Sequence, residues 1–329
     1  MIQRALPRLL APNGWRRLAQ DRPLVPLVLL LLLLTGTVDI VSPGSVTPGW
    51  VSATLIVAVP LGIIAAAQTL VILTGGIDLS VGVVGTTACY VAASLSSHGT
   101  AEAVLIGLGM ALLVGVISGI GIGIFQVQPI IMTLGMGLVT TGALNVYAEQ
   151  ITTAGVVPVV PGFVRQVGAG HLLGGIPNIV ILWIVLGAVI ITVLGRTGFG
   201  RLVYAIGDNR TACRLAGVKV WQVLVATYAV SGLLAGLGGI MLSAATNVAD
   251  RGLVEPLLLP SVAAVVIGGT SVFGGSGGYS GTMLGAVILT VLSGLLVVLH
   301  ASSAIEQIVD GGIILVVVAV YVRVIQERA

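Results

Sequence analysis

The chain has 329 residues, of which 57% are hydrophobic and only 8% are charged, and its mean hydropathy is +1.17. This composition excludes a soluble domain and indicates an integral membrane protein built from apolar helices. The net charge of +3 is small and the basic residues lie beside apolar runs, so we expect them to orient the chain in a bilayer rather than bind nucleic acid.

Ten membrane-spanning helices are predicted, each an apolar run close to the ~20 residues that cross a bilayer. They form one transmembrane domain over residues 24–322, between a basic N-terminal segment, 1–23, and a C-terminal segment, 323–329. The first span is interpreted as uncleaved, because no small-residue cleavage site follows it. In chain order the predicted spans are 24–41, 51–73, 81–97, 102–124, 129–148, 177–195, 220–245, 257–273, 280–299 and 305–322.

Lysine and arginine predict the orientation of these spans, since cytoplasmic loops retain basic residues. Basic clusters lie in residues 1–23, in the loop 196–219 and at Arg323 and Arg328. With six predicted spans before the loop and four after it, all three clusters fall on one side of the membrane. We therefore expect an all-α polytopic membrane protein whose two termini and loop 196–219 are cytoplasmic.

Glycines spaced four residues apart recur inside the spans, for example Gly115 with Gly119 and Gly232 with Gly236. Small residues let two helices approach closely in a bilayer, where lipid supplies no hydrophobic drive between them. These pairs predict tight packing of the bundle.

The run LTGGIDLSVG at residues 73–82 separates the second and third spans. Its glycines can adopt backbone angles closed to other residues, and Asp78 and Ser80 are good helix N-caps. Because an ionised aspartate is costly at the bilayer centre, we expect Asp78 near the interface. The segment is either a capping turn or a break that lines or gates a pathway, and both can hold together. This broken-helix signature comprises Thr74, Gly75, Gly76, Ile77, Asp78, Leu79 and Ser80.

The predicted cytoplasmic loop contains a second motif, IGDNRTACRLAGV. Asp208 or Asn209 can cap a helix of about two turns, which Gly217 can end in a left-handed conformation. Arg210 and Arg214 fall four residues apart on one face, where an acidic partner could bind both. The alternative is a solvated basic loop. The candidate partner-binding residues are Gly207, Asp208, Asn209, Arg210, Ala212, Arg214 and Gly217.

A third stretch, VVIGGTSVFGGSGGYSGTMLGA at residues 265–286, is rich in glycine. It lacks the lysine that a nucleotide-binding P-loop requires. The three histidines are not spaced as metal ligands, and no carboxylate pair or serine triad occurs in a catalytic context. We expect no metal, no cofactor and no enzymatic activity in this chain. The candidate functional positions of the stretch are Gly268, Gly269, Gly274 and Gly275.

Four polar residues are interpreted as interior: Gln68, Thr133 and Asn145 within predicted spans, and Asn247 just after the span 220–245. Such side chains either form hydrogen bonds between helices or face a substrate pathway. From spacing alone, we interpret each side chain as one that packs between helices. A position on the substrate pathway stays open as the alternative.

Together these stretches resemble the permease subunit of bacterial ABC importers of the ribose and simple-sugar type, over roughly residues 50–322. GGIDLSVG at 75–82 is similar to that family's signature, and PIIMTLGMGLVTTG at 129–142 resembles its Pro-x-x-x-Thr-Leu-Gly segment. RTGFGRLVYAIGDNRTACRLAGV at 196–218 is similar to the interior loop that contacts the ATPase subunit in that family. AAVVIGGTSVFGGSGG at 263–278 resembles its glycine-rich segment.

The resemblance implies a multi-pass subunit of the bacterial cytoplasmic (inner) membrane that forms the path for a small polar solute, expected to be a monosaccharide. It implies an ATP-binding-cassette ATPase that binds ATP and Mg in place of this chain, an extracytoplasmic solute-binding protein, and a second permease copy or a related permease. Where many members have Glu-Leu-Asp-x-Ile-Ala this chain has LLPSVAA, which leaves the solute open.

Two alternatives and one docking site stay open at this stage. A self-sufficient secondary transporter or channel is the main alternative to an ABC permease, and a membrane enzyme is the weaker one. The exterior loop 149–176 is long and rich in glycine and proline, so it is either disordered or a docking surface for the binding protein.

Overall fold

The computed structural model describes residues 24–172 and 175–302, together with residues 304, 305, 307–309, 311, 312 and 315. Most of this part is helical, as predicted for an all-α protein. The helices are α1 (Leu24–Val41), α2 (Pro48–Leu73), α3 (Val81–Ser94), α4 (Thr100–Gly123), α5 (Pro129–Thr153), α6 (Gly162–Ala169), α7 (Asn178–Arg196), α8 (Gly198–Asp208), α9 (Arg210–Leu215), α10 (Val220–Thr246), α11 (Leu258–Ile267) and α12 (Tyr279–Val298). The remaining elements are a hairpin of β1 (His171–Leu172) with β2 (Ile176–Pro177), and 3₁₀ turns at Ser96–His98 and Glu255–Leu257.

Seven of these helices are long and apolar enough to cross a membrane: α1, α2, α4, α5, α7, α10 and α12. They match seven of the ten predicted spans, so the protein is a multi-pass membrane protein. α3 and α11 were predicted as spans 81–97 and 257–273, but they have only 14 and 10 residues. At a rise of ~1.5 Å per residue, neither covers the ~30 Å hydrocarbon core as a straight helix.

The tenth predicted span, residues 305–322, lies for the most part outside the described residues. The basic segments 1–23 and 323–329 lie wholly outside them. The number of spans and the side on which the termini lie therefore stay predictions.

α2 and α10 form the centre of the described bundle. Every residue of α2 from Ala58 to Leu73 is buried, so protein surrounds this half of the helix on all sides. α10 packs most extensively against α4, and also against α2 and α3, while α12 and α11 cover α2 from another direction. α5 contacts mainly α3 and α4 and leaves most of its surface exposed. The bundle is therefore dense around α2 and α10 and open along α5.

Glycine brings α4 and α10 into backbone contact, which confirms the predicted tight packing. A Cβ at Gly115 would overlap the carbonyl oxygen of Tyr228, and a Cβ at Gly232 would overlap that of Ala111. Residues larger than glycine would therefore push the two helices apart. We call this contact the glycine seam, and its glycines are Gly115, Gly119, Gly123, Gly232 and Gly236.

The described part of the loop 149–176 is ordered, so the alternative of disorder is wrong there. α5 continues to Thr153, and α6 and the small hairpin fill most of the remainder. α6 packs against α10, where Gly168 lies directly on the carbonyl group of Ala244. The other alternative, a docking surface, stays a prediction.

Candidate functional site

The three glycine-containing motifs of the sequence meet at one end of the bundle. The backbone N–H of Gly275 donates to the carbonyl oxygen of Leu73 at 3.0 Å, which joins the glycine-rich stretch to the end of α2. Nη2 of Arg210 donates to the carbonyl oxygen of Thr74 at 3.0 Å, which joins the loop helix α9 to the same place. We call this meeting point the motif junction, and it comprises residues 73–76, 207–210 and 273–275.

Glycine is required at the motif junction because the contacts are made between backbones. A Cβ at Gly207 would overlap the carbonyl oxygen of Leu73, and a Cβ at Gly274 would lie 2.8 Å from the amide nitrogen of Gly75. Gly75 and Gly274 also have φ angles of +77° and +91°, in the left-handed region that favours glycine. Three motifs that are far apart in sequence are thus in direct contact.

The glycine-rich stretch divides into two parts with different roles. Gly268 and Gly269 terminate α11, where the backbone of Gly268 packs directly on that of Gly281 in α12. Gly274 and Gly275 belong to the motif junction, where a Cβ at Gly275 would lie 3.1 Å from Cα of Asp208. A further bond that the sequence did not indicate runs from Oη of Tyr204 in α8 to the carbonyl oxygen of Gly277, at 2.9 Å.

The short helix of the loop has the predicted caps. Oδ1 of Asn209 accepts from the N–H of Ala212 at 2.9 Å, so Asn209 rather than Asp208 is the N-cap of α9. Gly217 follows the helix with φ +79°, as predicted for a left-handed end. α9 has six residues, which is somewhat less than the two turns expected.

The two arginines of this helix have different surroundings, and their joint binding of an acidic partner stays a prediction. Arg210 is half-buried and its guanidinium is bound to Thr74, and burial lowers its pKa. Arg214 is exposed, as is Leu215, whose side chain is 85% exposed. The surface that α9 offers to a partner therefore combines one cation with one large apolar side chain, which the sequence analysis did not single out.

Two of the four interior polar residues hold the broken segment in place. Nε2 of Gln68 donates to the carbonyl oxygen of Asp78 at 2.6 Å, and the N–H of Asp78 donates back to Oε1 at 3.3 Å. The hydroxyl of Thr133 accepts from the N–H of Leu79 at 3.0 Å. Both side chains are fully buried. These two side chains form hydrogen bonds with backbone groups between Ile77 and Ser80. Those backbone groups have no helical partners, because the helix is interrupted there.

The carboxylate of Asp78 is buried inside the protein, and its position near the membrane interface stays a prediction. Its Oδ1 accepts from the N–H of Ser80 at 2.9 Å and from the hydroxyl of Ser80 at 2.6 Å. Its Oδ2 accepts from the hydroxyl of Ser231 in α10 at 3.2 Å. Ser80 occupies the N-cap position of α3 but makes no side-chain capping bond, so the predicted caps are wrong in detail. Within the described residues, neutral donors alone bind this carboxylate.

The other two polar residues are not interior in the described chain. Asn247 is exposed and ends α10 in a left-handed conformation with φ +56°. Asn145 is exposed on α5, the helix that leaves most of its surface uncovered. The prediction of an interior position is therefore wrong for Asn247, and Asn145 lies on an open face instead of in a helix contact.

Two polar residues on the buried face of α10, Tyr228 and Ser231, were not among the predicted site residues. They lie three positions apart, so they share one face of the helix. A signal was present, because polar side chains three apart in an apolar span indicate a polar neighbour, and Ser231 does bind Asp78. Among the described residues there is no group of three or more His, Cys, Asp or Glu side chains that could hold a metal ion.

Replacing Thr133 by valine should lower the stability of the protein by about 1 to 3 kcal/mol, because the N–H of Leu79 loses its acceptor. Thr133→Ser is the matched control, since it keeps the hydroxyl. The melting temperatures of the purified variants in detergent measure the effect. Equal melting temperatures for the valine and serine variants would show that this bond does not hold the segment.

Comparison with known proteins identifies the family of the chain. The chain matches, over residues 50–318, the family described as the permease component of the branched-chain amino acid transport system. It is 37% identical to the ribose import permease protein RbsC of Escherichia coli K12 over 308 residues, covering 89% of this chain and 92% of the relative. It is 34% identical to RbsC of Bacillus subtilis over 290 residues, covering 88% and 89%.

A further relative is the fructose import permease protein FrcC of Rhizobium meliloti, 34% identical over 281 residues, with 82% of this chain and 76% of the relative covered. No solved structure matches the chain. The family match covers α2 to α12 and includes all three segments of the motif junction. The chain therefore belongs to this family of transport-system permease components.

Proposed function

We propose that the protein is the permease subunit of an ATP-binding-cassette importer and forms the membrane path for a monosaccharide. The relatives named as ribose and fructose import permeases support this class of solute. The observation that carries the proposal is the motif junction, because it joins an exposed loop helix directly to a broken segment between two buried helices. ATP and Mg bind to a separate ATPase subunit, and an extracytoplasmic binding protein delivers the solute.

The motif junction offers a route from ATP hydrolysis to the membrane path. α9 exposes Arg214 and Leu215, the side chains available to a partner. A displacement of α9 acts on Thr74 through Arg210, and on Leu73 through the close contact of Gly207. These residues end α2 and begin the broken segment. Movement of the loop helix therefore reaches the centre of the bundle through backbone contacts.

The proposed topology has ten spans, with both termini and loop 196–219 in the cytoplasm. The seven full-length helices support it, together with the short helices α3 and α11, which can cross part of the membrane where protein surrounds them. The positions of the basic clusters supply the orientation. Accessibility labelling of single cysteines at 209 and 166 tests it, with label expected from opposite sides.

The proposed solute path lies along the open face of α5, against a second permease chain. This face exposes Ile131 and Leu138, and Cβ atoms at Gly135 and Gly142 would meet nothing within 4 Å. A large apolar helix face that its own chain leaves open is typical of a surface that another chain or lipid covers. Asn145 lies exposed on the same helix, where its amide could hydrogen-bond a sugar hydroxyl.

Reconstitution tests the proposal directly. The chain is placed in liposomes with an ATP-binding-cassette ATPase subunit and a sugar-binding protein, and uptake of radiolabelled ribose and fructose is measured. We expect uptake that requires ATP, the ATPase and the binding protein. Uptake driven by an ion gradient without the ATPase would establish a secondary transporter instead.

Replacing Leu215 by alanine should weaken binding of the ATPase subunit by about 10- to 100-fold. A leucine side chain that becomes buried contributes about 1.5 to 3 kcal/mol, which alanine mostly loses. Leu172→Ala is the control, because Leu172 is also exposed, at 52%, but lies in the hairpin after α6. Affinity for the ATPase in detergent gives the result, and equal affinities of the two variants would remove α9 from the docking surface.

A further inference from the structure

The hydroxyl group of Tyr228 is buried at the centre of the bundle without a hydrogen-bond partner among the described residues. Tyr228 is 0% exposed, and its Oη forms no hydrogen bond. The oxygen lies against Gly76, where a Cβ would come within 2.5 Å of it. An unsatisfied buried hydroxyl is unfavourable, and phenylalanine would fill the same space without that cost. In this conformation the described residues therefore give the hydroxyl no hydrogen bond that would offset the cost of its burial.

The residues around this hydroxyl indicate which group it binds in a second conformation. Ser231, one turn further along the same face of α10, donates to Oδ2 of Asp78 at 3.2 Å, the longest bond to that carboxylate. The hydroxyl lies against Gly76 of the motif junction, where Arg210 is bound to Thr74. Gly76, which makes room for the hydroxyl, is two positions before Asp78 in the broken segment.

We propose that Tyr228 is a positioning residue for transport, which replaces Ser231 as the α10 donor to Asp78 when the broken segment and α10 shift relative to each other. In the present conformation the Ser231 hydroxyl donates to Asp78, and the Tyr228 hydroxyl forms no hydrogen bond with the described residues. In the second conformation the Tyr228 hydroxyl donates to the carboxylate and Ser231 is released. Tyr228 and Ser231 are one turn apart on the same face of α10, so a relative movement of α10 and the broken segment exchanges the residue that binds the carboxylate.

The exchange gives the broken segment two discrete arrangements of similar stability. A structural element that transmits movement between two sites requires two such arrangements. Only four residues, 216–219, separate Leu215 at the end of α9 from the start of α10, so a displaced loop acts on α10 directly. Arg210 remains bound to Thr74 at the start of the segment. This inference rests on the proposed ATP-driven import. It assigns Tyr228 and Ser231 as the two residues whose hydrogen bonds to Asp78 change during import.

Tyr228→Phe tests the exchange in the complete reconstituted importer. We expect its melting temperature in detergent to equal or exceed that of the unmodified protein, because no bond is lost in the present conformation. We expect ATP-driven sugar uptake to fall at least tenfold with ATPase binding unchanged. Tyr279→Phe is the matched control for a buried tyrosine whose hydroxyl is used: it accepts from Nε1 of Trp183 at 2.8 Å and donates to the carbonyl oxygen of Gly62 at 2.8 Å. That variant should melt at a lower temperature.

A double variant separates an exchange on Asp78 from a local packing effect. In an Asp78→Asn background, Tyr228→Phe should reduce uptake no further, since the amide nitrogen that replaces Oδ2 cannot accept the bond that the tyrosine hydroxyl donates in the exchange. Normal uptake by Tyr228→Phe, or additive losses in the double variant, would overturn the exchange while leaving the proposed function intact. Absence of ATP-driven uptake by the unmodified importer would instead refute the proposed function and this inference with it.

Discussion

Replacing Gly207 by alanine is expected to abolish ATP-driven uptake and to destabilise the motif junction. The added Cβ overlaps the carbonyl oxygen of Leu73 and lies 2.5 Å from the amide nitrogen of Gly275. Both groups are backbone, and they are hydrogen-bonded to each other at 3.0 Å, so no side-chain rotation relieves the overlap. Overpacking costs about 1 to 3 kcal/mol where side chains can adjust, and we expect the upper end or more here.

Gly195→Ala is the matched control for this prediction. Gly195 also lies close in sequence to the loop, near the end of α7, but a Cβ there meets nothing within 4 Å. Alanine in a helix is favoured over glycine by ~1 kcal/mol, so this variant should be as stable as the unmodified protein or slightly more so. Melting temperature, ATPase binding and uptake are measured for both. Normal uptake by Gly207→Ala would show that the junction does not transmit movement.

Replacing Asp78 by alanine is the second change with a large expected effect. It leaves the N–H and hydroxyl of Ser80 and the hydroxyl of Ser231 without their acceptor in a buried site. Each buried group without a partner costs about 1 to 3 kcal/mol, so the loss of stability should amount to several kcal/mol. Low yield and a strongly reduced melting temperature of the purified protein are the expected observations.

Asp78→Asn separates the charge of this residue from its hydrogen bonds. The asparagine oxygen can accept both bonds from Ser80, and Ser231 can accept from the new amide group. The melting temperature should therefore stay close to that of the unmodified protein, whereas uptake should fall if the carboxylate takes part in transport. If the asparagine variant transports normally, Asp78 serves only to shape the broken segment.

The sequence predicts those parts of the structure that depend on local chemistry. Hydropathy locates seven spans, because an apolar run of sufficient length favours a helix across the bilayer. Asn209 and Gly217 predict the limits of α9, because capping depends on a few neighbouring residues. The early end of α11 is harder to predict, since the apolar run continues past Gly268 and Gly269, where the backbone turns away.

The motif junction could not be predicted from the sequence, although each of its three segments was recognised. Its contacts run between backbone atoms at Leu73, Gly207 and Gly275, and backbone atoms are the same in every residue. The burial of Asp78 was missed for a related reason, because its donors come partly from Ser231 on a distant helix. Asn247 was misplaced because hydropathy does not show where a helix end leaves the bundle.

The glycine seam has a consequence for how the chain is made. α4 leaves the ribosome well before α10, and α5 to α9 are synthesised between them. Until α10 enters the membrane, the small face of α4 at Gly115 and Gly119 has no partner from its own seam. The helices that precede α10 must therefore be stable in the bilayer without it. The centre of the bundle forms only after α10 has been inserted, late in biosynthesis. A chain truncated before α10 should remain inserted but open to proteases and unable to build the motif junction.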